Sequence, residues 1–249
     1  MENKMENCIC DDSCKCGENC QCNNTPRLGE LAPSFEAVTT NGRINFPADY
    51  KGKWVILFSH PADFTPVCTS EFMTFAARQQ EFSDLNCEII GLSIDGLFSH
   101  IAWLRAIEKL QYNGIKNVKP TFPVIDDVSM NVARKYGMIQ PGQSLTQAVR
   151  AVFFIDPAGI VRAMIYYPLS LGRNFDELKR VIMALKTADE FKVATPADWK
   201  PGMPVILGAP QTTATAAERV TKGGEGCQDW YFCTKELSQD SIMKQILNK

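Results

Sequence analysis

The sequence has little surplus charge of either sign and no long apolar run. Its 249 residues contain 26 Lys and Arg against 28 Asp and Glu, which gives a net charge of −2, and the basic residues form no local run. Such a chain is poorly suited to neutralise a phosphate backbone, which argues against nucleic-acid binding. The longest apolar runs, residues 54–58 and 151–155, are far shorter than the ~20 residues of a membrane span. We therefore expect neither a nucleic-acid partner nor a membrane partner.

The amino terminus also lacks the apolar segment of a secretory signal, because Ile9 stands alone among polar residues and cysteines. We therefore expect a cytoplasmic protein whose thiols are normally reduced. At about 150 residues per domain, the length predicts one or two domains, with enough chain to bury a core without disulfides.

The cysteines are abundant and unevenly placed. Six of the ten lie in the first 22 residues, as three Cys-x-Cys pairs with a six-residue period: Cys8, Cys10, Cys14, Cys16, Cys20 and Cys22. Adjacent thiolates suit soft metal ions, so this tail is a candidate site for Zn²⁺ or Cu(I), and it resembles metallothionein repeats in its spacing only. The alternative is a disordered tail without metal, because residues 1–26 offer almost nothing to bury.

Residues 27–195 predict one α/β unit. Runs rich in β-branched and aromatic residues predict strands at 54–59, 88–94, 122–125, 148–155 and 160–166. Apolar residues at helical spacing predict helices at 69–82, 101–110, 129–136 and 176–185. Early strands that alternate with helices, followed by a late hairpin, predict a mixed sheet covered by helices.

The last segment, residues 196–249, is rich in proline and glycine. It predicts an irregular, extended arm with one short helix near residues 238–247. A stretch with so little core of its own is expected to lie on another surface, such as that of a partner subunit.

The strongest local signal surrounds Cys68. A buried strand ends, a loop with two prolines follows, and a helix opens at or just before this cysteine. A thiol in the first helical turn faces unpaired backbone N–H groups and the positive end of the helix dipole, and both favour the thiolate. The hydroxyl of Thr65 can bond the thiolate or a substrate oxygen. Because Thr65 and Glu71 occupy the positions of a neighbouring Cys-x-x-Cys partner, Cys68 has no local dithiol partner. The alternative is a buried structural cysteine.

The pattern Pro61-x-x-x-Thr65-x-x-Cys68 resembles the active site of the peroxiredoxins, thiol peroxidases with a thioredoxin-like fold. The longer string Phe-Ser-His-Pro-x-Asp-Phe-Thr-Pro-Val-Cys is similar to the one-cysteine branch of that family. Arg150 matches the active-site arginine of the family. Arg173, in a Gly-Arg-Asn motif, matches a second arginine of this branch. The resemblance covers roughly residues 27–235.

The resemblance implies a role for each of these residues. Cys68 would reduce hydrogen peroxide and organic hydroperoxides and become a sulfenic acid, with no cofactor required. Arg150 would hold the thiolate and bind the peroxide oxygens, together with Thr65 and the Cys68 N–H. Pro61 would shield the sulfur from water. His60 would tune the site, although a structural histidine is an equal alternative. We assign no role to His100, which is expected beside a helix.

The carboxy-terminal Cys227 and Cys233 depart from the simplest one-cysteine members. They are similar to the paired cysteines of some archaeal and bacterial peroxiredoxins. That analogy implies that Cys233 of the partner subunit bonds Cys68 and that Cys227 then exchanges in, leaving a Cys227–Cys233 disulfide for a thioredoxin-type reductant. It also implies a homodimer with exchanged arms, and a ring of five dimers is frequent in this branch. The alternative is two buried thiols in a docking arm.

Two competing functions stay open at this point. Phospholipase activity is associated with animal relatives of this branch and depends on a serine before the active-site strand and a nearby histidine. Residues 50–54 read Tyr-Lys-Gly-Lys-Trp and Pro47 takes the histidine position, so we disfavour it. The other alternative is a non-enzymatic protein that buffers metal on thiolates or acts as a holdase, which only the cysteine tail supports.

Overall fold

A computed structural model describes residues 25–222 and 226–247. The six tail cysteines, and the metal site predicted for them, lie outside the described residues. The chain forms two compact units. The first comprises the residues up to 73 together with 89–172, and the second comprises residues 74–88 together with 173–249.

The first unit is built on a mixed sheet. Its strands are β1 (Phe35–Thr39), β2 (Gly42–Phe46), β3 (Trp54–Ser59), β4 (Cys87–Ser93), β7 (Val124–Asp126), β8 (Arg150–Ile155) and β9 (Val161–Tyr167), with a small separate hairpin of β5 (Gln111–Tyr112) and β6 (Ile115–Lys116). The sheet order is β2-β1-β7-β4-β3-β8-β9. Strands β4 and β7 are parallel, whereas β3 and β9 both run antiparallel to β8.

The pattern of burial explains why the sequence predicted these strands well. All six residues of β3 and all six of β8 are buried within the sheet, and each strand contains an unbroken run of five apolar residues. The predicted bounds of β3 are confirmed, and those of the other four predicted strands are within two residues. Strands β1 and β2, at one end of the sheet order, were not predicted, because they are short and half exposed.

Three helices follow strands in the same order as predicted. They are α1 (Pro66–Ser83), α2 (Leu97–Ile107) and α3 (Asn131–Lys135), and a short 3₁₀ helix covers Ala48–Tyr50. Helix α1 begins three residues earlier than predicted, with a proline at its first position, where the missing N–H costs no helical hydrogen bond. Cys68 therefore lies in the first turn, as expected. Helix α2 begins four residues earlier than predicted, which places His100 inside it rather than beside it.

The second unit contains more regular structure than the sequence predicted. Its elements are α4 (Phe175–Phe191), β10 (Val205–Ile206), α5 (Thr213–Lys222), β11 (Cys227–Asp229), β12 (Phe232–Lys235) and α6 (Gln239–Ile246). The predicted carboxy-terminal extension is present, and it contains a further small sheet of β10, β12 and β11 that the sequence did not indicate. Trp199 and Cys233 are buried there. Helix α6 matches the predicted short helix and is capped by the Ser238 hydroxyl.

Within these described ranges, none of the helices has the length and apolar character needed to cross a bilayer.

Candidate active site

Cys68 and Arg150 meet inside the first unit. The Cys68 side chain, in the first turn of α1, is buried, and so is that of Arg150, at the start of β8. The Arg150 Nη1 donates a hydrogen bond to Cys68 Sγ at 3.3 Å. A guanidinium this close, in a site shielded from water, places a positive group beside the sulfur and beside any oxygen that bonds it. The predicted pairing of nucleophile and arginine is thus present in the geometry.

Glu71 is the third member of the group, and the sequence analysis missed it. Its Oε2 accepts from Arg150 Nη1 at 2.8 Å, and both side chains are buried. A glutamate one turn after Cys68 looks in sequence like a solvated helix residue. The one available signal was its i, i+3 spacing from the nucleophile, which places both side chains on the same helix face.

The backbone after β9 provides a further hydrogen-bond acceptor for Arg150. The Leu169 carbonyl accepts from Arg150 Nε at 3.0 Å and from Arg150 Nη2 at 2.9 Å. Together with Glu71 these bonds fix the plane of the guanidinium, so the Nη1 group points to the sulfur without rearrangement when substrate arrives.

Replacing Glu71 by glutamine is expected to lower the second-order rate constant of the reduced protein with hydrogen peroxide about tenfold. The amide still accepts one hydrogen bond from Arg150, but the charge that anchors the guanidinium is lost. Stopped-flow fluorescence under single-turnover conditions measures this constant. Glu81→Gln on the same helix, whose carboxylate pairs with Arg78 and Lys179 near the surface, is the matched control and should stay within twofold. Equal rates for both variants would remove Glu71 from the site.

Pro61 and Thr65 belong to the loop that leads into α1. Pro61 is buried, and the Thr65 hydroxyl donates to the Ala62 carbonyl at 2.8 Å. The Thr65 carbonyl accepts from both the backbone N–H and the hydroxyl of Thr69, which closes the first helical turn around Cys68. In this geometry the proton of the Thr65 hydroxyl is used in the bond to the Ala62 carbonyl, which stabilises the loop. The hydroxyl oxygen can still accept a hydrogen bond from another donor.

His60 takes part in a buried hydrogen-bonded group. Its Nε2 lies 2.9 Å from Asp63 Oδ1, and His100 Nδ1 lies 2.8 Å from Asp63 Oδ2. Burial lowers the pKa of His60 below its ordinary value, against the opposing effect of the Asp63 carboxylate. Burial alone would raise the pKa of Asp63, but the hydrogen bonds from His100 and His60 lower it far below its usual range. The sequence analysis assigned no role to His100, and the structure gives its ring two buried hydrogen bonds.

The same three side chains are the one cluster of metal-ligand chemistry found in the described part of the chain. Both imidazole–carboxylate contacts, however, have hydrogen-bond lengths of 2.8 to 2.9 Å, so a proton fits between each pair of atoms. We interpret the cluster as a hydrogen-bonded network.

The remaining predicted site residues lie in the second unit. Arg173 is buried and immediately precedes Asn174, whose side chain caps α4 by accepting from the N–H groups of Asp176 and Glu177. Cys227 and Cys233 are paired across β11 and β12 and form a disulfide with their sulfur atoms 2.05 Å apart.

A cavity of about 240 Å³ lies beside the segment that the sequence analysis considered for phospholipase activity. Pro47, Lys51 and Asp156 are among its lining residues. None of the described residues that line it is a serine or a histidine. A serine nucleophile with a neighbouring base is therefore not assembled there.

Comparisons with known proteins agree with this geometry. The model of the AhpC/TSA family matches residues 28–164, and the model of the C-terminal domain of 1-Cys peroxiredoxin matches residues 184–223. A peroxiredoxin of Methanosarcina mazei is 59% identical over 217 residues, which cover 86% of this chain and 99% of the relative. A peroxiredoxin of Aquifex aeolicus is 52% identical over 222 residues, which cover 85% of this chain and 97% of the relative.

Solved structures show the same fold. A yeast mitochondrial 1-Cys peroxiredoxin superimposes with a TM-score of 0.71 at 35% identity, covering 85% of this chain and 99% of that one. A cysteine-to-serine mutant of peroxiredoxin 6 from Arenicola marina superimposes with a TM-score of 0.72 at 32% identity, covering 86% of this chain and 98% of that one.

The chain belongs to the peroxiredoxins of the AhpC/TSA family. It is a peroxidase with the thioredoxin-like fold of that family, extended at its carboxyl end by a further small sheet.

Proposed function

We propose that the protein reduces hydrogen peroxide and organic hydroperoxides at Cys68. The thiolate attacks one peroxide oxygen, the O–O bond breaks, and the sulfur becomes a sulfenic acid. The leaving hydroxide or alkoxide takes up a proton and departs as water or alcohol. The contact of 3.3 Å between Arg150 Nη1 and Cys68 Sγ carries this proposal, because the guanidinium stabilises both the attacking sulfur and the charge that moves onto oxygen.

The test is single-turnover consumption of hydrogen peroxide by the fully reduced protein, compared with Cys68→Ser. Rapid consumption that the substitution abolishes is the expected result. Slow consumption shared equally by both proteins would mean that the tail thiols react, and the Cys68 assignment would fall. Cys87→Ser, which changes a buried cysteine at the start of β4, is the matched control and should react like the unmodified protein.

The sulfenic acid is resolved, in our proposal, by the carboxy-terminal pair. Cys233 of the partner subunit condenses with Cys68 to a disulfide and releases water, and Cys227 then attacks Cys233, which frees Cys68 and leaves the Cys227–Cys233 disulfide. The support is the cross-strand pairing of these two cysteines in the β11–β12 hairpin. After one equivalent of peroxide, Cys227→Ser should accumulate an intersubunit disulfide and Cys233→Ser should not. A stable intersubunit disulfide in Cys233→Ser would exclude Cys233 as the first resolving thiol.

A dithiol reductant of the thioredoxin type suits a disulfide formed between neighbouring cysteines. The yeast relative is described as resolving its thiol through glutathione and thioredoxin systems. We expect multiple-turnover activity with a thioredoxin and its reductase, and little with glutathione alone. The reverse preference would contradict this reductant assignment.

A homodimer with exchanged arms, assembled further into a ring of five dimers, is the proposed quaternary state. Large apolar side chains at the surface of the first unit, including Phe98 and Val128, support self-association. Sedimentation velocity on the reduced protein tests this, and a monomer would contradict it.

For the tail we propose a soft-metal site on the six cysteines. The support is their Cys-x-Cys repeat. The family model begins only at residue 28, and the Methanosarcina mazei relative is matched almost end to end while part of this chain has no counterpart there. Metal analysis after loading with Zn²⁺ or Cu(I) should find more metal on the full chain than on a chain that starts at Thr25. Equal content would exclude the site, and with it the alternative of a metal-buffering function.

A further inference from the structure

The two imidazoles bonded to Asp63 are the only histidines of the chain, and both are fully buried. The network contains three hydrogen bonds: His60 Nε2 to Asp63, His100 Nδ1 to Asp63, and His100 Nε2 to the Ile125 carbonyl at 3.0 Å. A carbonyl oxygen and a carboxylate oxygen cannot donate, so each bond needs a proton supplied from the network.

This count fixes the protonation of the group. Three bonds need three protons, whereas two neutral imidazoles and a carboxylate carry two. The network therefore holds one additional proton, and His100 carries it, because both of its ring nitrogens face acceptors. His60 stays neutral with its proton on Nε2, and its buried Nδ1 has no hydrogen-bond partner. The other titratable group nearby is Asp95, whose Oδ2 accepts from the Asp63 backbone N–H.

The loop that the network holds is strained. Phe64 has a φ of +55°, a left-handed conformation that is costly for a bulky aromatic residue. It directly follows Asp63 and directly precedes Thr65, so the strained residue sets the direction in which the chain enters α1. Such a conformation persists only where the surroundings enforce it. Here Asp63 is bonded through both carboxylate oxygens and through its backbone N–H.

Helix α2 supplies bonds on both sides of the nucleophile. His100 bonds Asp63, which precedes Cys68 in the chain. Trp103, one turn further along α2, donates from Nε1 to the hydroxyl of Thr69, the residue after Cys68, at 3.2 Å. The two donors are three residues apart on one helix and therefore on the same helix face.

We propose that His100 and Asp63 are positioning residues for the peroxidase reaction: a buried imidazolium–carboxylate pair holds the strained Phe64 turn and so fixes Cys68 against Arg150. This inference rests on the proposed reaction at Cys68. It adds that, with a carboxylate at position 63, the hydrogen bonds between α2 and the active-site loop require one additional proton.

Nuclear magnetic resonance of protein labelled with ¹⁵N-histidine tests the stored proton without any assay of activity. With two histidines in the chain, the spectrum contains two ring systems. At pH 7.5 we expect one ring protonated on both nitrogens and one protonated on Nε2 alone. In Asp63→Asn the amide donates to His100 Nδ1, so His100 should lose the additional proton while every hydrogen bond is kept. Two neutral rings in the unmodified protein would overturn the proposal.

Kinetics test the positioning role. Asp63→Leu keeps the size of the side chain but removes its bonds, and should lower the rate constant with hydrogen peroxide on the order of 100-fold. Asp63→Asn should recover most of that loss. Asp127→Leu is the matched control, because Asp127 is also a buried acid but bonds the N–H groups of Val132 and Ala133 at the start of α3. It should react at the unmodified rate.

The outcomes separate this proposal from the proposed reaction. If Cys68→Ser still consumes peroxide, the reaction at Cys68 fails while the spectrum still reports the network. If Cys68 reacts as expected and a folded Asp63→Leu reacts at the unmodified rate, the positioning role alone is wrong. Should Asp63→Leu not fold, His100→Leu takes its place, because it removes the bonds to Asp63 and to the Ile125 carbonyl from the other side of the network. It should lower the rate constant in the same way, and a folded His100→Leu that reacts at the unmodified rate would contradict the positioning role.

Discussion

Arg150→Met is expected to lower the rate constant of the reduced enzyme with hydrogen peroxide on the order of 100- to 1,000-fold, the range seen when one preorganised donor to a developing oxyanion is removed. Methionine keeps an unbranched side chain similar to the aliphatic stem of arginine but removes the donor that lies 3.3 Å from the Cys68 sulfur. Stopped-flow measurements over a range of peroxide concentrations give this constant directly.

The same substitution leaves Glu71 as a buried carboxylate without its guanidinium, which costs about 3–5 kcal/mol of stability. Denaturation curves must therefore accompany the kinetics. Arg162→Met is the matched control, because Arg162 lies on the neighbouring strand β9 and pairs with Asp156 away from the sulfur. A folded Arg150→Met that reacts as fast as Arg162→Met would show that the guanidinium is not part of the catalytic group.

Gly226→Ala is expected to reduce the equilibrium constant for forming the Cys227–Cys233 disulfide roughly tenfold to a hundredfold. Gly226 has a φ of +82°, and a Cβ there would lie 2.4 Å from the Thr234 carbonyl oxygen. Relief of that contact moves backbone and breaks the hydrogen bond from Thr234 N–H to the Gly226 carbonyl at the base of the hairpin. A strained left-handed position costs about 1–3 kcal/mol, which is the source of the expected range.

Equilibration in thiol–disulfide buffers followed by alkylation and mass spectrometry measures this constant. Gly208→Ala offers a matched control in the same unit, because a Cβ at Gly208 meets open space. The single-turnover reaction of Cys68 should be unaffected in both variants. An unchanged disulfide constant in Gly226→Ala would mean that the hairpin does not hold the two thiols together.

The sequence carried most of the information about the central sheet and about the pair Cys68 and Arg150. Strand β3 was predicted with its correct bounds because all six of its residues are buried, and a buried central strand appears in sequence as an apolar run. Arg150 was predicted from its match to the active-site arginine of the peroxiredoxins, and its guanidinium lies 3.3 Å from the sulfur.

What the sequence could not show were polar contacts between distant elements. Glu71 and His100 both lie on helices where a polar residue is ordinarily solvated, and only the fold places them against Arg150 and Asp63. The carboxy-terminal sheet was missed for a related reason. Its strands β10, β11 and β12 contain two to four residues each, which is too few for an alternating pattern to be recognised.

The bonding of Arg150 has a consequence for repeated turnover. The guanidinium is held by two bonds to the Leu169 carbonyl and one bond to Glu71, none of which uses the sulfur. In the proposed cycle, in which the oxidised cysteine turns to a resolving thiol of another subunit, these bonds would keep the guanidinium neutralised and oriented while the sulfur is away. The site would then receive the regenerated thiol without rearrangement.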